Sequence, residues 1–517
     1  MKKVKRIFSF ALVLALLCAA PLAPRAQGPG LTTADVSEYP TLGFRGGFHE
    51  LYVNENTAES DCIFSSFAIG GLFAARLDDL LACLKALDVD GAVDILKDIM
   101  WEWFGPIQMD EKGESINKDI TFDGQQWLED YAGVPFLETD WRLSPIENAE
   151  KLHRYVEYAC VRYGTEKFNF RPISGTVPIM LAYLDKHGYD RVASISVDIT
   201  THNGTTLFGE LFTRRMVLDM EALTKMPAAD MLGVDLTSLA PILRWLFEPG
   251  VLSVVERFVK LAAGRMIGRV YDEIILPLVS TMPGLWSYVP QKDYEAAKKA
   301  MFGRSPNAAL VKKLDDWNDI AVRADDILLE AAKRVKVGVW AAYGMPLPPL
   351  GNSKGATSDF MVDTKYASLG ATCAPLDLPF LPGYRQKNAK CGHGHISPDR
   401  MIDASACLLP EQTWFALNKM HGSELSYSGW YEWFLETDEP TVSGNERYPQ
   451  FMEATLCHGY GYDEEWDYEW EWTYYEYTPL ESSDGDTLLM VLKTIGLHLL
   501  KIWRWLLVLP LFWVDWF

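Results

Sequence analysis

The sequence predicts an α/β fold in which a mostly parallel central sheet carries an inserted helical cap. Three patterns along the chain lead to this prediction. A strand, a turn, a helix and a second strand follow one another between residues 167 and 199, which is typical of a βαβ unit. Residues 210–345 are mostly helical in their apolar spacing and contain few strand signals. Residues 359–458 return to turns and short strands.

Capping signals define one helix close to this βαβ unit. Ser144 is followed by Pro145 at the first helical position and by Glu147 three residues after the cap. Gly164 is the residue type that ends a helix in the left-handed conformation. The sequence therefore predicts a helix between them, with an apolar face formed by Ile146, Ala149, Leu152, Val156 and Ala159.

Composition and charge narrow the class of protein. Of the 517 residues, 49% are hydrophobic and 13% are aromatic, which fits a folded, enzyme-like chain. The formal net charge is -22. Because nucleic acids are polyanions, an acidic excess of this size disfavours them as partners.

The first 26 residues have the pattern of a secretory signal peptide. Basic residues lead an apolar run from Ile7 to Ala20, and small residues continue to Ala26. This leader holds five basic and no acidic residues, so its removal changes the net charge from -22 to -27. The seven remaining cysteines are too widely spread for a disulfide scaffold, and the sequence does not pair them. We expect an extracytoplasmic, envelope-associated protein.

The C-terminal end contains two further segments. Residues 459–487 are acidic and aromatic, and we interpret them as an exposed linker. Residues 488–517 are apolar but interrupted by Lys493, Lys501 and Arg504, a spacing that suits a helix lying in a membrane surface. Packing of this tail onto the protein is the alternative, and a membrane-crossing helix is disfavoured. The predicted units are a signal peptide (1–26), a core in two parts (27–209 and 346–458), a cap (210–345), the linker and the tail.

Ser174 is the candidate nucleophile. It lies between the strand and the helix of the βαβ unit, at a sharp turn that projects a Ser hydroxyl above the end of a parallel sheet. In this geometry the backbone N–H of the next residue, Gly175, faces the oxyanion that develops in acyl transfer. Small residues usually flank such a Ser at two places on either side, where this chain has Pro172 and Thr176.

Motifs on both sides of Ser174 occur in a known order. Asp140-Trp141-Arg142 precedes the capped helix, and residues 358–362 follow the predicted cap. The first motif resembles the Asp-Trp-Arg of lipases related to lecithin:cholesterol acyltransferase, and the second resembles their Asp-Gly-x-Val. Further similar segments are the strand and elbow at 167–174, the helix at 182–184 and the loop at 202–206. The resemblance implies an α/β-hydrolase fold that cleaves an apolar ester without a cofactor.

The same resemblance assigns Asp359 as the triad acid, with Phe360 in place of the family's glycine. Such an acid fixes the tautomer of the catalytic imidazole and stabilises its charged form. The position of Asp359 in a loop beyond a strand suits this task. Asp198, Asp363 and Asp403 are alternatives.

His421 is the candidate base. It follows an apolar segment late in the chain, as the catalytic His of the family does, and it completes the order Ser, acid, His. His393 and His395 are the alternatives. Together with Cys391 they also alternate along a short segment that could present three zinc ligands, but a glycine-rich loop fits that spacing better, and no metal is expected.

The loop after the first buried strand supplies the second oxyanion donor in the related lipases. Arg45-Gly46-Gly47 occupies this place, so the backbone N–H groups of Gly47 and Gly175 are the candidate donors. Gly43 and Arg45 differ from the family's preferred residues. Two hypotheses follow: an exported serine hydrolase of lipase or esterase type, and a degenerate hydrolase that binds a ligand or partner at the cell envelope.

Overall fold

The computed structural model describes most of the region between the leader and the tail. The described residues are 37–44, 47–53, 61–65, 68–86, 88–121, 134–216, 222, 266–303, 307–348, 351, 355–376, 378–381, 383–388, 392–421, 429–463 and 468–481. The predicted signal peptide, the predicted membrane-binding tail and residues 217–265 of the predicted cap, apart from Ala222, lie outside them. In the described part, no helix is both long and apolar enough to span a membrane.

The strands are, in chain order, β1 (Thr41–Phe44), β2 (Leu51–Val53), β3 (Asp61–Phe64), β4 (Ile120–Thr121), β5 (Phe136–Leu137), β6 (Phe168–Arg171), β7 (Val192–Asp198), β8 (Lys336–Tyr343), β9 (Thr372–Cys373), β10 (Ile402–Asp403), β11 (Thr413–Leu417), β12 (Phe451–Asp463) and β13 (Tyr468–Pro479).

The α-helices are α1 (Ala68–Ala75), α2 (Leu77–Ala86), α3 (Val89–Phe104), α4 (Pro145–Tyr163), α5 (Val177–His187), α6 (Thr206–Phe212), α7 (Leu276–Leu278), α8 (Pro283–Trp286), α9 (Tyr294–Phe302), α10 (Ala308–Ala321), α11 (Ala324–Arg334), α12 (Thr364–Ala367) and α13 (Trp430–Glu436).

An eight-stranded sheet forms the centre of the fold. Its order is β13-β12-β11-β8-β7-β6-β1-β5, and every neighbouring pair is parallel except the edge pair β12 and β13. The predicted α/β fold with a mostly parallel central sheet is therefore confirmed. From β1 the chain continues to β5 on one side and then returns to β6 on the other. Ligands of parallel α/β sheets bind where the strand order reverses in this way, at the carboxyl ends of the strands.

The predicted elements around the βαβ unit are present. Ser144 Oγ accepts the N–H of Glu147 at 3.2 Å, the Glu147 carboxylate accepts the N–H of Ser144 at 3.0 Å, and Gly164 ends α4 with φ of 62°. This capping box fixes the start of the helix. The buried face of α4 includes Ala149, Leu152, Val156 and Ala159, as its apolar spacing predicts.

Helices cover both faces of the sheet. On one face, α4, α5, α10 and α11 share a hydrophobic core with the strands. On the other face, α13 packs against Trp340 and Trp414. Gly338 in β8 is needed for this packing, because a Cβ there would lie 2.9 Å from the ring of Trp430 and 3.0 Å from that of Phe434.

The predicted cap boundaries are partly wrong. The predicted cap includes residues 308–343, but α10 and α11 cover the sheet and β8 is one of its inner strands. A separate hydrophobic cluster instead joins α1 to α3 and the small β2–β4 sheet to residues 266–302. The cap signal failed here because a helix that covers a parallel sheet has the same apolar spacing as a helix in a cap.

The predicted linker is also wrong in its described part. Residues 451–463 and 468–479 form β12 and β13, which pair antiparallel from Met452 and Pro479 to Asp463 and Tyr468. Acidic and aromatic residues alternate in Tyr468-Glu469-Trp470-Glu471-Trp472. Alternation with aromatic residues is a strand signal, and the acidic composition obscured it.

Candidate active site

Ser174 lies at the carboxyl end of β6, next to the point where the strand order reverses. Ile173 is extended, with φ of -124°, and Ser174 then takes a positive φ of 49° before a short 3₁₀ turn leads into α5. A non-glycine residue with positive φ is uncommon and marks a constrained backbone. The strand, turn and helix thus form the sharp elbow that the sequence predicted.

Hydrogen bonds of Thr176 and its neighbours hold this elbow without flanking glycines. The Thr176 hydroxyl accepts the N–H of Ile173 at 2.9 Å and lies 2.8 Å from the carbonyl of the same residue. Pro172 accepts the N–H of Asp198 at 3.1 Å, and the Thr201 hydroxyl donates to the Ser174 carbonyl at 3.0 Å. Thr176 therefore fits in place of a glycine because its hydroxyl binds both backbone groups of Ile173.

His421 contacts Ser174. It follows β11, and its Nε2 lies 3.1 Å from Ser174 Oγ. The side chain is mostly buried, with 21% of its surface exposed. A short, partly exposed contact of this kind is the geometry in which an imidazole can take a proton from a Ser hydroxyl.

Asp359 completes the chain of contacts. Its Oδ2 lies 2.7 Å from His421 Nδ1, and its Oδ1 accepts the N–H groups of Met361 at 2.8 Å and Val362 at 2.7 Å. Only 1% of the Asp359 side chain is exposed. Phe360 takes a φ of 85° in this loop, which is the left-handed conformation that favours the glycine of the related motif.

The electrostatic state of Asp359 sets the tautomer of His421. Burial alone raises the pKa of this carboxyl, but the charge and hydrogen bond of His421, with the two backbone N–H groups, lower the pKa below its ordinary value. The ionised carboxylate can only accept, so the Nδ1 proton of His421 donates to it. The neutral ring then accepts at Nε2, on the side of Ser174.

Two of the alternative acids have other partners. Asp198 faces Arg171, 3.4 Å away. Asp363 accepts the N–H of Thr206 at 2.7 Å and the hydroxyl of the same residue at 2.6 Å.

The third alternative acid, Asp403, accepts from the Tyr384 hydroxyl at 2.7 Å and binds Ser405. His393 and His395, the alternative bases, both contact Glu411 at 3.1 Å. Of these candidates, Asp359 and His421 are the two that the structure joins to Ser174.

Gly47 and Gly175 line one cleft beside Ser174. The cleft holds about 10 Å³, and its apolar walls include Trp141, Leu143 and Ile179. The loop that carries Gly47 is fixed by Trp141, whose indole N–H donates to the His49 carbonyl at 3.1 Å. The two predicted oxyanion donors therefore come together from segments that follow β1 and β6. Gly46 and Arg45 lie outside the described residues.

Comparisons with known proteins gave no match. A scan against protein-family models, a search of curated proteins and a search of solved structures each found no significant similarity to this chain.

The Asp140-Trp141-Arg142 motif is buried and joins two segments of the fold. Arg142 is fully buried and forms a double contact with Asp140, at 2.9 Å through Nε and 2.6 Å through Nη2. A third nitrogen donates to the Ile107 carbonyl at 3.0 Å. The planar guanidinium suits a bidentate contact that also reaches a carbonyl. The motif thus joins the end of α3 to the strand that precedes α4, one residue from the indole that holds the Gly47 loop.

Tyr288 is a site residue that the sequence did not indicate. It lines the cleft with Gly47 and Gly175, and its side chain is 6% exposed. A Cβ on Gly47 would lie 2.8 Å from the Tyr288 hydroxyl, and a Cβ on Gly175 would collide with it. No local motif marks Tyr288, because its position follows from the packing of residues 283–290 against distant loops.

The described residues include no group of three or more His, Cys, Asp and Glu side chains that could hold a metal ion. Cys391, one of the three candidate zinc ligands, lies outside them. His393 and His395 use Glu411 as a shared partner, and His395 also contacts Gln450 at 2.8 Å.

Proposed function

We propose that this protein is a serine hydrolase of the α/β-hydrolase type that cleaves a carboxylic ester through an acyl-enzyme. The observation that supports it most is the continuous chain from Ser174 Oγ to His421 Nε2 at 3.1 Å and from His421 Nδ1 to Asp359 Oδ2 at 2.7 Å. The chain order Ser, Asp, His is that of α/β-hydrolases. The same three positions carry the resemblance to lipases.

In this proposal the residues divide the chemistry among them. Ser174 Oγ attacks the ester carbonyl carbon while its proton moves to His421 Nε2. Asp359 stabilises the imidazolium, and the N–H groups of Gly47 and Gly175 stabilise the oxyanion. The carbon–oxygen bond of the ester then breaks, and the alcohol leaves with the proton from His421. Water repeats the sequence on the acyl-enzyme and releases the carboxylic acid. No cofactor takes part.

Apolar walls favour an ester with an apolar acyl group. Trp141, Leu143 and Ile179 line the cleft, and the ring of Phe48 lies 4.8 Å from that of Trp141. Apolar surface of this kind binds hydrocarbon through the hydrophobic effect. We further propose that residues 488–517 hold the protein at an envelope membrane, where such esters are concentrated.

Labelling of the full chain with a fluorophosphonate tests the proposal. We expect stoichiometric modification at Ser174, loss of labelling in Ser174→Ala and much slower labelling in His421→Ala. Ser280→Ala is the control, because Ser280 is buried and its hydroxyl donates to the Leu276 carbonyl at 2.7 Å, with no contact to a histidine. This control should label like the unchanged chain.

The second candidate function is a hydrolase-like binding protein at the cell envelope. Its support is the small size of the cleft, which holds about 10 Å³, the room that about one water molecule needs. The residues that replace motif glycines, Thr176 and Phe360, also agree with it. An unlabelled Ser174 in a demonstrably folded sample would favour this function over catalysis.

A further inference from the structure

The hydroxyl of Tyr288 lies beside Gly47 and Gly175, which carry the two proposed oxyanion donors. It fills the space that a Cβ on Gly175 would need and lies beside the space of a Cβ on Gly47. The side chain as a whole is almost fully buried, but its hydroxyl is not one of the buried polar atoms that lack a partner. Tyr288 lines the cleft, so a phenol there can donate a hydrogen bond to a group that enters the cleft.

Tyr288 is held rigidly by loops that belong to the site. Its carbonyl accepts the N–H of Thr205 at 2.9 Å, and its ring packs edge-on against Phe208 with 5.0 Å between centroids. Gly204, with φ of 73°, allows this approach, because a Cβ there would lie 2.5 Å from the Tyr288 carbonyl oxygen. The side chain is thus fixed in place by the loop after β7.

The short helix before Tyr288 is anchored to the other side of the site. Gly284 donates its N–H to the Arg142 carbonyl at 2.8 Å, and Tyr288 donates its own N–H to the Leu285 carbonyl at 3.2 Å. A Cβ on Gly284 would also collide with the Trp141 carbonyl. Contacts from two sides therefore hold Tyr288 in one position, so its hydroxyl is preorganised for a hydrogen bond.

We propose that the Tyr288 hydroxyl is a third oxyanion donor, beside the backbone N–H groups of Gly47 and Gly175. The inference rests on the proposed hydrolase function. As Ser174 Oγ bonds to the carbonyl carbon, the π electron pair moves to the carbonyl oxygen, and Tyr288 donates a hydrogen bond to it without losing its proton. Burial raises the pKa of Tyr288, so the phenol stays protonated and able to donate. In a dry site a neutral donor of this kind acts strongly on developing charge.

Tyr288→Phe in the full chain removes the hydroxyl and keeps the ring. We expect fluorophosphonate labelling of Ser174, and kcat on an apolar p-nitrophenyl ester, to fall about 10²- to 10³-fold, the usual effect of one lost oxyanion donor. KM should change little, because the donor acts on the transition state. A trifluoromethyl ketone, which forms a tetrahedral adduct with the nucleophile, should lose affinity by a similar factor.

Tyr271→Phe is the matched control. Tyr271 is also buried, but its hydroxyl donates to the Leu211 carbonyl at 2.7 Å, away from the cleft. This variant should label like the unchanged chain even if it is less stable. Equal or faster labelling of Tyr288→Phe would overturn the inference and identify Tyr288 as a plug, while the hydrolase function would stand. Failure of the unchanged chain to label would refute the hydrolase function itself, and the inference with it.

A second variant covers the case in which Tyr288→Phe does not fold. Incorporation of 3-fluorotyrosine at position 288 keeps the ring, its contacts and its hydroxyl, but makes the phenol a stronger donor. A donor to the oxyanion predicts a tighter trifluoromethyl ketone adduct than in the unchanged chain. An unchanged affinity of the adduct would overturn the inference.

Discussion

Asp359 holds His421 by two separate contacts. Its Oδ2 lies 2.7 Å from the ring Nδ1, and its backbone carbonyl accepts the N–H of His421 at 2.9 Å. The backbone contact fixes the start of the loop that carries the base, and the carboxylate fixes the ring. A substitution of the Asp359 side chain removes the charge beside the His421 ring but keeps the backbone contact. Such a variant therefore tests the electrostatic role of Asp359 separately from its role in positioning His421.

Asp359→Asn should abolish most activity and leave the fold in place. The amide oxygen can still accept from Met361 and Val362, but the side chain no longer stabilises the imidazolium. We expect kcat to fall about 10⁴-fold. Asp403→Asn is the control, since Asp403 is equally buried but binds Tyr384 and Ser405. Equal loss of activity in both variants would contradict the triad.

The pH dependence of stability should report the lowered pKa of Asp359. A carboxyl whose pKa is lowered in the folded state stabilises it above the ordinary pKa of 3.8 and loses this contribution as the pH falls through the lowered value. The difference in unfolding free energy between the unchanged chain and Asp359→Asn should therefore be constant above about pH 5 and shrink in stronger acid. Urea unfolding at several pH values measures it. A difference that grows in acid would show the opposite sign of shift.

Removal of Arg142 should destabilise the protein strongly. Arg142→Ala leaves Asp140 buried without its partner, which typically costs about 3–5 kcal/mol. Arg323→Ala is the matched control, because Arg323 also pairs with an aspartate, Asp185, but is 49% exposed. An exposed pair contributes only about 0–1 kcal/mol. Urea unfolding measures the loss of unfolding free energy in each variant. Similar losses in both would show that the buried Arg142 contact contributes no more than an exposed ion pair.

At position 360, substitution by Gly should leave the protein more stable than substitution by Ala, which is the reverse of the usual order. Phe360→Ala and Phe360→Gly both lose the buried ring, but only glycine relieves the left-handed φ of 85°. That conformation costs other residues about 1–2 kcal/mol, so the Gly variant should be the more stable of the two by about 1 kcal/mol. At Phe168, a buried residue of β6, Ala should be the more stable substitution. Thermal unfolding distinguishes the two orders.

Deletion of residues 488–517 should release the protein from anionic vesicles. The tail carries the apolar surface and the Lys493, Lys501 and Arg504 charges that we expect to bind them. Replacement of the tail by a Gly/Ser segment of equal length is the control for chain length. Cosedimentation with vesicles measures binding, and continued binding of the truncated chain would refute the anchor.

Local signals predicted the part of the fold that contains Ser174, the proposed nucleophile. The cap at Ser144, the strand before Ser174 and the helix after it follow from short-range chemistry. The sequence contains nine histidines and many aspartates. Only the family resemblance and the chain order indicate Asp359 as the candidate acid and His421 as the candidate base. Their contact with Ser174 depends on the pairing of β6, β7, β8 and β11, which no local pattern contains.

Other features could not be predicted because they depend on long-range packing. Tyr288 approaches Gly175 only through the folding of residues 283–290 onto loops that lie far away in the chain. Helices α10 and α11 have the apolar spacing of any helix with one buried face, so their assignment to the sheet needed the structure. The β13 strand has a local signal, the alternation of aromatic and acidic residues, but the same acidic composition is typical of an exposed linker.

The distance along the chain between the site residues would make the proposed activity a late product of folding. Ser174 and His421 are separated by 247 residues, and the base follows β11, which reaches β6 only across β8 and β7. Contacts of such long range form slowly. During refolding, esterase activity should therefore lag behind helix formation, and a chain that ends before residue 413 would hold the nucleophile and both glycines yet remain inert. The time at which ester hydrolysis appears during refolding would thus report when the strands from β6 to β11 have paired.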